Sequence, residues 1–210
     1  MHYQEILQQI PSHIQLVAVS KGHPIESILS VYQTGCRDFG ENRIQEALEK
    51  QTKMPSDIRW HMIGTLQLNK VRKAIGKFTL IHSVDTPELA QKISSCSLEQ
   101  NLKTAILLQV NTSGELSKHG LSVEQWRKAF ASVLALPGVH IEGLMTIAPL
   151  VEDKETIRRC FASLREFRDE LEKQYKISLP KLSMGMSHDY QIAIQEGATL
   201  LRIGSAIFKP

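Results

Sequence analysis

The chain has 210 residues, 42% of them hydrophobic and 22% charged, with a formal net charge of +3. That length suits one large domain, residues 1–210, burying roughly 70% of its unfolded surface without staples. The small charge argues against a polyanion partner, and the three scattered cysteines (Cys36, Cys96, Cys160) against a disulfide framework or a zinc ribbon.

Tyr3 to Ile10 reads as a helix, with no basic segment and apolar run of the kind a signal peptide carries. No apolar run approaches the roughly 18 residues of a membrane span. A cytoplasmic location with reduced thiols is expected. Ile14 to Ser20 is an apolar run typical of a strand buried on both faces. Gly22 and Pro24 break it and open a helix whose Ile25, Ile28, Leu29 and Tyr32 share one face. Arg37–Gly40, Arg59–Gly64 and Phe78–Ser83 read as the second, third and fourth strands, and Thr86-Pro87 opens another helix. Thr104–Val110 is the fifth strand, followed by a helix carrying Trp126, Phe130, Val133 and Leu134 on one face. His140–Ile147 is the sixth. A longer helix follows with Ile157, Phe161, Leu164 and Leu171, and Leu179–Ser183 is the seventh strand. Asp189–Glu196 is a helix stopped by Gly197, and Thr199–Ile203 is the eighth strand.

Eight strands alternating with helices define an α/β chain and predict a single (β/α)8 barrel, with a doubly wound open sheet as the alternative. The first helix then stands in for the one missing after strand eight.

Chemistry-bearing residues recur where these strands end: Ser20 and Lys21, Glu41 and Asn42, His61, Asn111, Met145 and Thr146, Ser187, and Arg202 with Gly204 and Ser205. In a barrel these ends converge on one mouth. An amine at a buried strand end is partly desolvated, which favours its free form and condensation with an aldehyde. The alternative is a solvated lysine closing an edge strand. Met184–Asp189 leads into a helix, and its backbone N–H groups and the Ser187 hydroxyl suit an anion. Gly204-Ser205-Ala206 offers a second close-approach turn on the adjacent strand. Arg202, near the end of a buried strand, needs an acceptor. The choices are a carboxylate, Glu41 or Asp189, or a ligand atom such as a ring nitrogen. An aldehyde for the lysine, a phosphate for the turns and a heteroaromatic nitrogen for the arginine together describe pyridoxal 5′-phosphate (PLP).

The same residues carry a resemblance. LVAVSK (16–21), FGEN (39–42), WHMIG (60–64), LQLNKV (66–71), IHSVD (81–85) and LLQVNTSGE (107–115) match, in order and spacing, the YggS/PROSC family of pyridoxal phosphate homeostasis proteins. So do SKHG (117–120), GLMTI (143–147), SMGMS (183–187) and RIGSAIF (202–208). The resemblance implies a barrel similar to the N-terminal domain of alanine racemase, with PLP on Lys21 as a Schiff base. It implies that Ser187, Gly204 and Ser205 hold the phosphate, that Arg202 faces the pyridine nitrogen, and that Asn42, His61 and Met145 line the pocket. Lys118 matches a family lysine implicated in cofactor handling. The family often has a second lysine where this chain has His23, and Ile-Phe-Gly where it reads Ile207-Phe208-Lys209.

The expected function is PLP binding and homeostasis without catalysis, with PLP-dependent apoenzymes as recipients and a monomeric or weakly dimeric state. Racemases of this type add a second domain carrying a catalytic tyrosine, and none is expected after Ser205 here. The rival is a small racemase using Lys21 and either His61 or Lys118 as its two bases. Nucleic-acid binding is set aside because the basic run Asn69–Lys73 has no interleaved aromatics. Metal binding is set aside because the eight histidines show no paired spacing.

Overall fold

The computed structural model describes residues 2–115 and 119–208. A first helix, α1 (His2–Gln9), precedes β1 (Gln15–Val19), and seven connections between the eight barrel strands follow, each carrying a helix. In chain order they are α2 (Ile25–Gln33), β2 (Asp38–Glu41), α3 (Ile44–Gln51), β3 (Arg59–Met62), α4 (Val71–Ala74) and β4 (Leu80–Val84). Then come α5 (Pro87–Glu99), β5 (Thr104–Asn111), β6 (Leu121–Ser122), α6 (Val123–Leu134) and β7 (Val139–Met145). The last are α7 (Lys154–Tyr175), β8 (Lys181–Ser183), α8 (Tyr190–Gln195) and β9 (Leu200–Ile203).

The strand order is β4-β3-β2-β1-β9-β8-β7-β5, and the β4–β5 pairing closes the ring, so eight parallel strands form a (β/α)8 barrel. The open-sheet alternative is excluded by that closure. The ninth strand, β6, is a two-residue extension paired with β5 outside the ring. α1 fills the gap expected of it. Gln4 donates to the Thr34 carbonyl after α2, Tyr190 of α8 donates to the Gln9 side chain, and Tyr3, Ile6 and Ile10 are buried.

Most of the core lies between sheet and helices, where Trp126, Phe130, Phe161, Leu164 and Leu171 put the predicted apolar faces against the strands. Helix starts follow local chemistry. Thr86 caps α5 ahead of Pro87, Ser122 and Gln125 form a capping box on α6, and Asp153 caps the long α7. Sequence periodicity did not reveal α3 and α4. Each presents only two or three apolar residues, too few to register a repeat.

The lumen is divided. Val17, Leu80, Leu107, Met145 and Leu200 form its apolar layer. Beside them Asp38, His61, His82, Ser183 and Arg202 are buried too, an unusual polar load for a barrel interior. These groups determine the character of the site.

Candidate functional site

A pocket of about 280 Å³ opens at the C-terminal ends of the strands. It is lined by Lys21 after β1, Asn42 after β2, Ile63 after β3, Ile147 after β7, Met186, Ser187 and His188 after β8, and Arg202, Gly204 and Ser205 on and after β9. The structure thus brings together Lys21, Asn42, Ser187, Arg202, Gly204 and Ser205. It does not bring His61 and Met145 to the lining. Side chains two residues apart on a strand share a face. Ile63 and Ile147 are therefore the lining residues on their strands, while His61 and Met145 lie one layer deeper in the lumen, both fully buried. Lys118 falls outside the described residues.

Lys21 is exposed at the rim, so the protein does not desolvate it as the strand-end reading expected. Its turn, however, is held firmly. Ser20 donates to Glu41 Oε1 at 2.6 Å, and Lys50 Nζ reaches the Ser20 carbonyl at 2.7 Å, Glu41 at 2.7 Å and Glu46 at 2.6 Å. The Gly22 N–H donates to Glu46 Oε1 at 2.6 Å. The backbone on both sides of Lys21 is thus tied to one ion cluster beneath it. Glu41 is fully buried, and its Oε2 lacks a partner among the described residues. Burial raises its pKa, and the bonds from Lys50 and Ser20 offset that only in part. Sequence reading missed Lys50 and Glu46, although acid and base four apart on one helix face were the available signal. His23, where the family often has lysine, stacks on Phe208 at 4.3 Å between ring centroids.

The opposite wall offers hydrogen-bond donors. Gly185 turns the chain with φ +95°, and a Cβ there would lie 2.7 Å from that of Ala193, so only glycine allows this approach. Asp189 accepts from the Met186 N–H at 2.6 Å and shapes the loop. The Ala206 N–H donates to Ser187 Oγ at 3.3 Å and joins the β8 and β9 loops. Among the described residues, the backbone N–H groups of Ser187, His188, Gly204 and Ser205 find no acceptor. Converging free N–H groups suit an anion.

Arg202 is 4% exposed and makes no ion pair among the described residues. Neither expected carboxylate takes it: Glu41 belongs to the Lys50 cluster and Asp189 to the Met186 amide. Its Nη1 donates to Ser183 Oγ at 2.6 Å and its Nη2 to the Thr146 carbonyl at 2.9 Å. Burial pushes its pKa down to about 10, opposed weakly by the field of Asp189, so it remains a cation at neutral pH. Below it, His82 bonds Ser183 and His61, and His61 bonds Asp38. Burial lowers the pKa of both histidines and keeps them neutral. Burial resists ionisation of Asp38, but bonds from His61 and Arg59 outweigh it and hold the carboxyl far below its usual range.

A closed parallel barrel with free backbone N–H groups, among the described residues, after its last two strands and a lysine after its first defines a class. The family model for the alanine racemase N-terminal domain matches residues 2–210. Within that class the chain belongs to the family of pyridoxal phosphate homeostasis proteins. It is 45% identical to the protein of that name from Aquifex aeolicus over 92% of this chain and 86% of the relative. It is 40% identical to the one from Synechocystis over 98% and 95%. PipY of Synechococcus elongatus, solved with PLP bound, superposes with a TM-score of 0.92 at 40% identity, covering 99% of this chain and 98% of that one. Alanine racemase of Clostridium difficile shares the fold, with a TM-score of 0.82 at 16% identity over 98% of this chain and 55% of that one.

Lys50→Met leaves the Glu41 carboxylate buried without its cation and is expected to cost about 3 kcal/mol in urea unfolding. Replacing both residues, Lys50→Met with Glu41→Leu, recovers part of that loss. A single variant as stable as wild type contradicts the role given to the cluster. A second prediction concerns pH. His61 and His82 are neutral in the folded chain, whereas unfolded histidines take up protons below about 6.5. Stability is therefore full above that value and falls as pH drops through it. Each histidine adds a slope of at most about 1.4 kcal/mol per pH unit. Unfolding free energies measured from pH 7.5 to pH 6 that stay flat or rise on acidification contradict two buried neutral imidazoles.

Proposed function

We propose that this protein binds PLP reversibly, holds it as a Schiff base on Lys21 and supplies it to apoenzymes, without turning over a substrate of its own. The observation that carries the reading is the convergence, on one pocket, of an exposed amine, a cradle of free N–H groups and a buried arginine with no carboxylate partner among the described residues. The residues present fit the cofactor's three handles. The Ser187, Gly204 and Ser205 segments would hold its phosphate, and Lys21 its aldehyde, whose oxygen leaves as water. Arg202 would face its ring nitrogen.

The electrostatics favour holding over carbanion chemistry. PLP supplies an electron sink when its ring nitrogen is protonated. A permanent guanidinium beside that nitrogen disfavours the proton and weakens the sink. The naming of the relatives as homeostasis proteins supports the same reading. The rival enzyme reading loses one of its two candidate second bases in His61, which is buried and committed to Asp38 and His82, while Lys118 lies outside the described residues. The pocket does include His188, an exposed imidazole that the sequence reading did not single out.

Cofactor titration followed by dialysis tests this. Wild type should acquire a visible absorbance band and retain it. Lys21→Ala should lose the band, and Arg202→Gln should stay folded but release cofactor faster. Incubation with single amino acids and chiral analysis should show no turnover. Absence of the band in wild type, or racemisation dependent on Lys21, overturns the proposal.

A further inference from the structure

The polar groups of the lumen form one continuous chain across the barrel interior. Arg202 Nη1 lies 2.6 Å from Ser183 Oγ, which lies 2.9 Å from His82 Nδ1. His82 Nε2 lies 2.9 Å from His61 Nδ1, and His61 Nε2 lies 3.1 Å from Asp38 Oδ1. Asp38 then takes the Arg59 fork at 2.7 and 2.6 Å and the Gln15 amide at 2.9 Å. His61, His82 and Ser183 are wholly buried, while the Arg59 side chain is half exposed at the far end. The chain draws on β9, β8, β4, β3 and β2, and it joins the pocket floor to the opposite mouth of the barrel.

Its proton order has one solution if both imidazoles are neutral. Ionised Asp38 can only accept, so His61 Nε2 carries the proton. His61 Nδ1 must then accept, which puts the His82 proton on Nε2. His82 Nδ1 in turn accepts, so the Ser183 hydroxyl donates to it. That leaves the Ser183 oxygen's lone pairs free for Arg202. A charged His82 would bury a second cation near Arg202 with water excluded, which is costly, and burial likewise lowers the pKa of His61 despite its bond to Asp38. The charged groups facing the pair are Asp38, Arg59, Lys181 and Arg202, and only Asp38 favours a proton there.

We propose that His82 and His61, as Asp38-ordered Nε2–H tautomers, are positioning residues for Arg202. They aim the Ser183 hydroxyl inward so that its oxygen accepts from the guanidinium. The cation is thereby held at the pocket floor by neutral acceptors, and its charge is left uncompensated for an acceptor atom of the bound ligand. The identity of that ligand rests on the PLP reading above; the tautomer order does not.

The test is separable in the same way. Long-range proton–nitrogen correlation spectra of uniformly 15N-labelled, cofactor-free protein at neutral pH report the tautomer of each histidine. Both His61 and His82 should show the neutral Nε2–H pattern, a signature that general structural support would not require. An imidazolium or an Nδ1–H tautomer at either residue overturns the proposal whatever the protein binds. Ser183→Ala then cuts the chain between His82 and Arg202 while leaving Asp38 in place. It should preserve both tautomers and weaken PLP binding by about tenfold, the effect of one lost hydrogen bond to a charged group. Unchanged PLP affinity in Ser183→Ala also overturns it. If wild type itself fails to bind PLP, the ligand reading falls, and the tautomer spectra still decide the order of the chain.

Discussion

A guanidinium buried at the floor of a barrel, with no ion-pair partner among the described residues, is the constraint around which the rest of the site is arranged. Burying an unpaired cation costs several kcal/mol unless dipoles replace the lost water. Here the replacements are neutral: a serine hydroxyl and a backbone carbonyl, Ser183 and Thr146. A carboxylate would have neutralised the charge. Neutral acceptors stabilise it and leave its charge to act on the pocket, which the N–H groups after β8 and β9, without acceptors among the described residues, also line. Both features prefer an electron-rich, anionic ligand.

The two halves of the site are supported from different layers of the fold. Arg202 is held from inside the lumen, through a chain of side chains that ends at Asp38 and Arg59. Lys21 is held from the layer between sheet and helices, where Lys50 and Glu46 of α3 grip the turn and buried Glu41 of β2 braces it. Lys21 therefore stays exposed while the backbone that carries it is fixed.

Much of this was legible in the sequence. Eight apolar runs with helical periodicity between them specified the barrel, because parallel strands are buried on both faces and announce themselves by composition. Residues just past strand ends were found for the same reason: Lys21, Asn42, Ser187, Gly204 and Ser205 are displayed by topology alone. His61 and Met145, expected in the lining from the family resemblance, lie one layer below it, and a residue's depth in the lumen is not written in the alternation along its strand. The groups that hold Ser183 beneath Arg202 and the turn beside Lys21 were not legible either. His82 is 101 residues from Ser183 and Lys50 is 30 from Ser20, and only barrel closure and helix packing bring such pairs together. α3 stayed hidden because it is short, and with it the lysine clamp.

The central claim is that Lys21 is the residue that holds the cofactor's aldehyde. Borohydride reduction of PLP-loaded protein, followed by proteolysis and mass analysis, tests it most directly. The account predicts a single pyridoxyl adduct, on the peptide containing Lys21. An adduct on any other lysine, or none on a chain that has bound the cofactor, would contradict it.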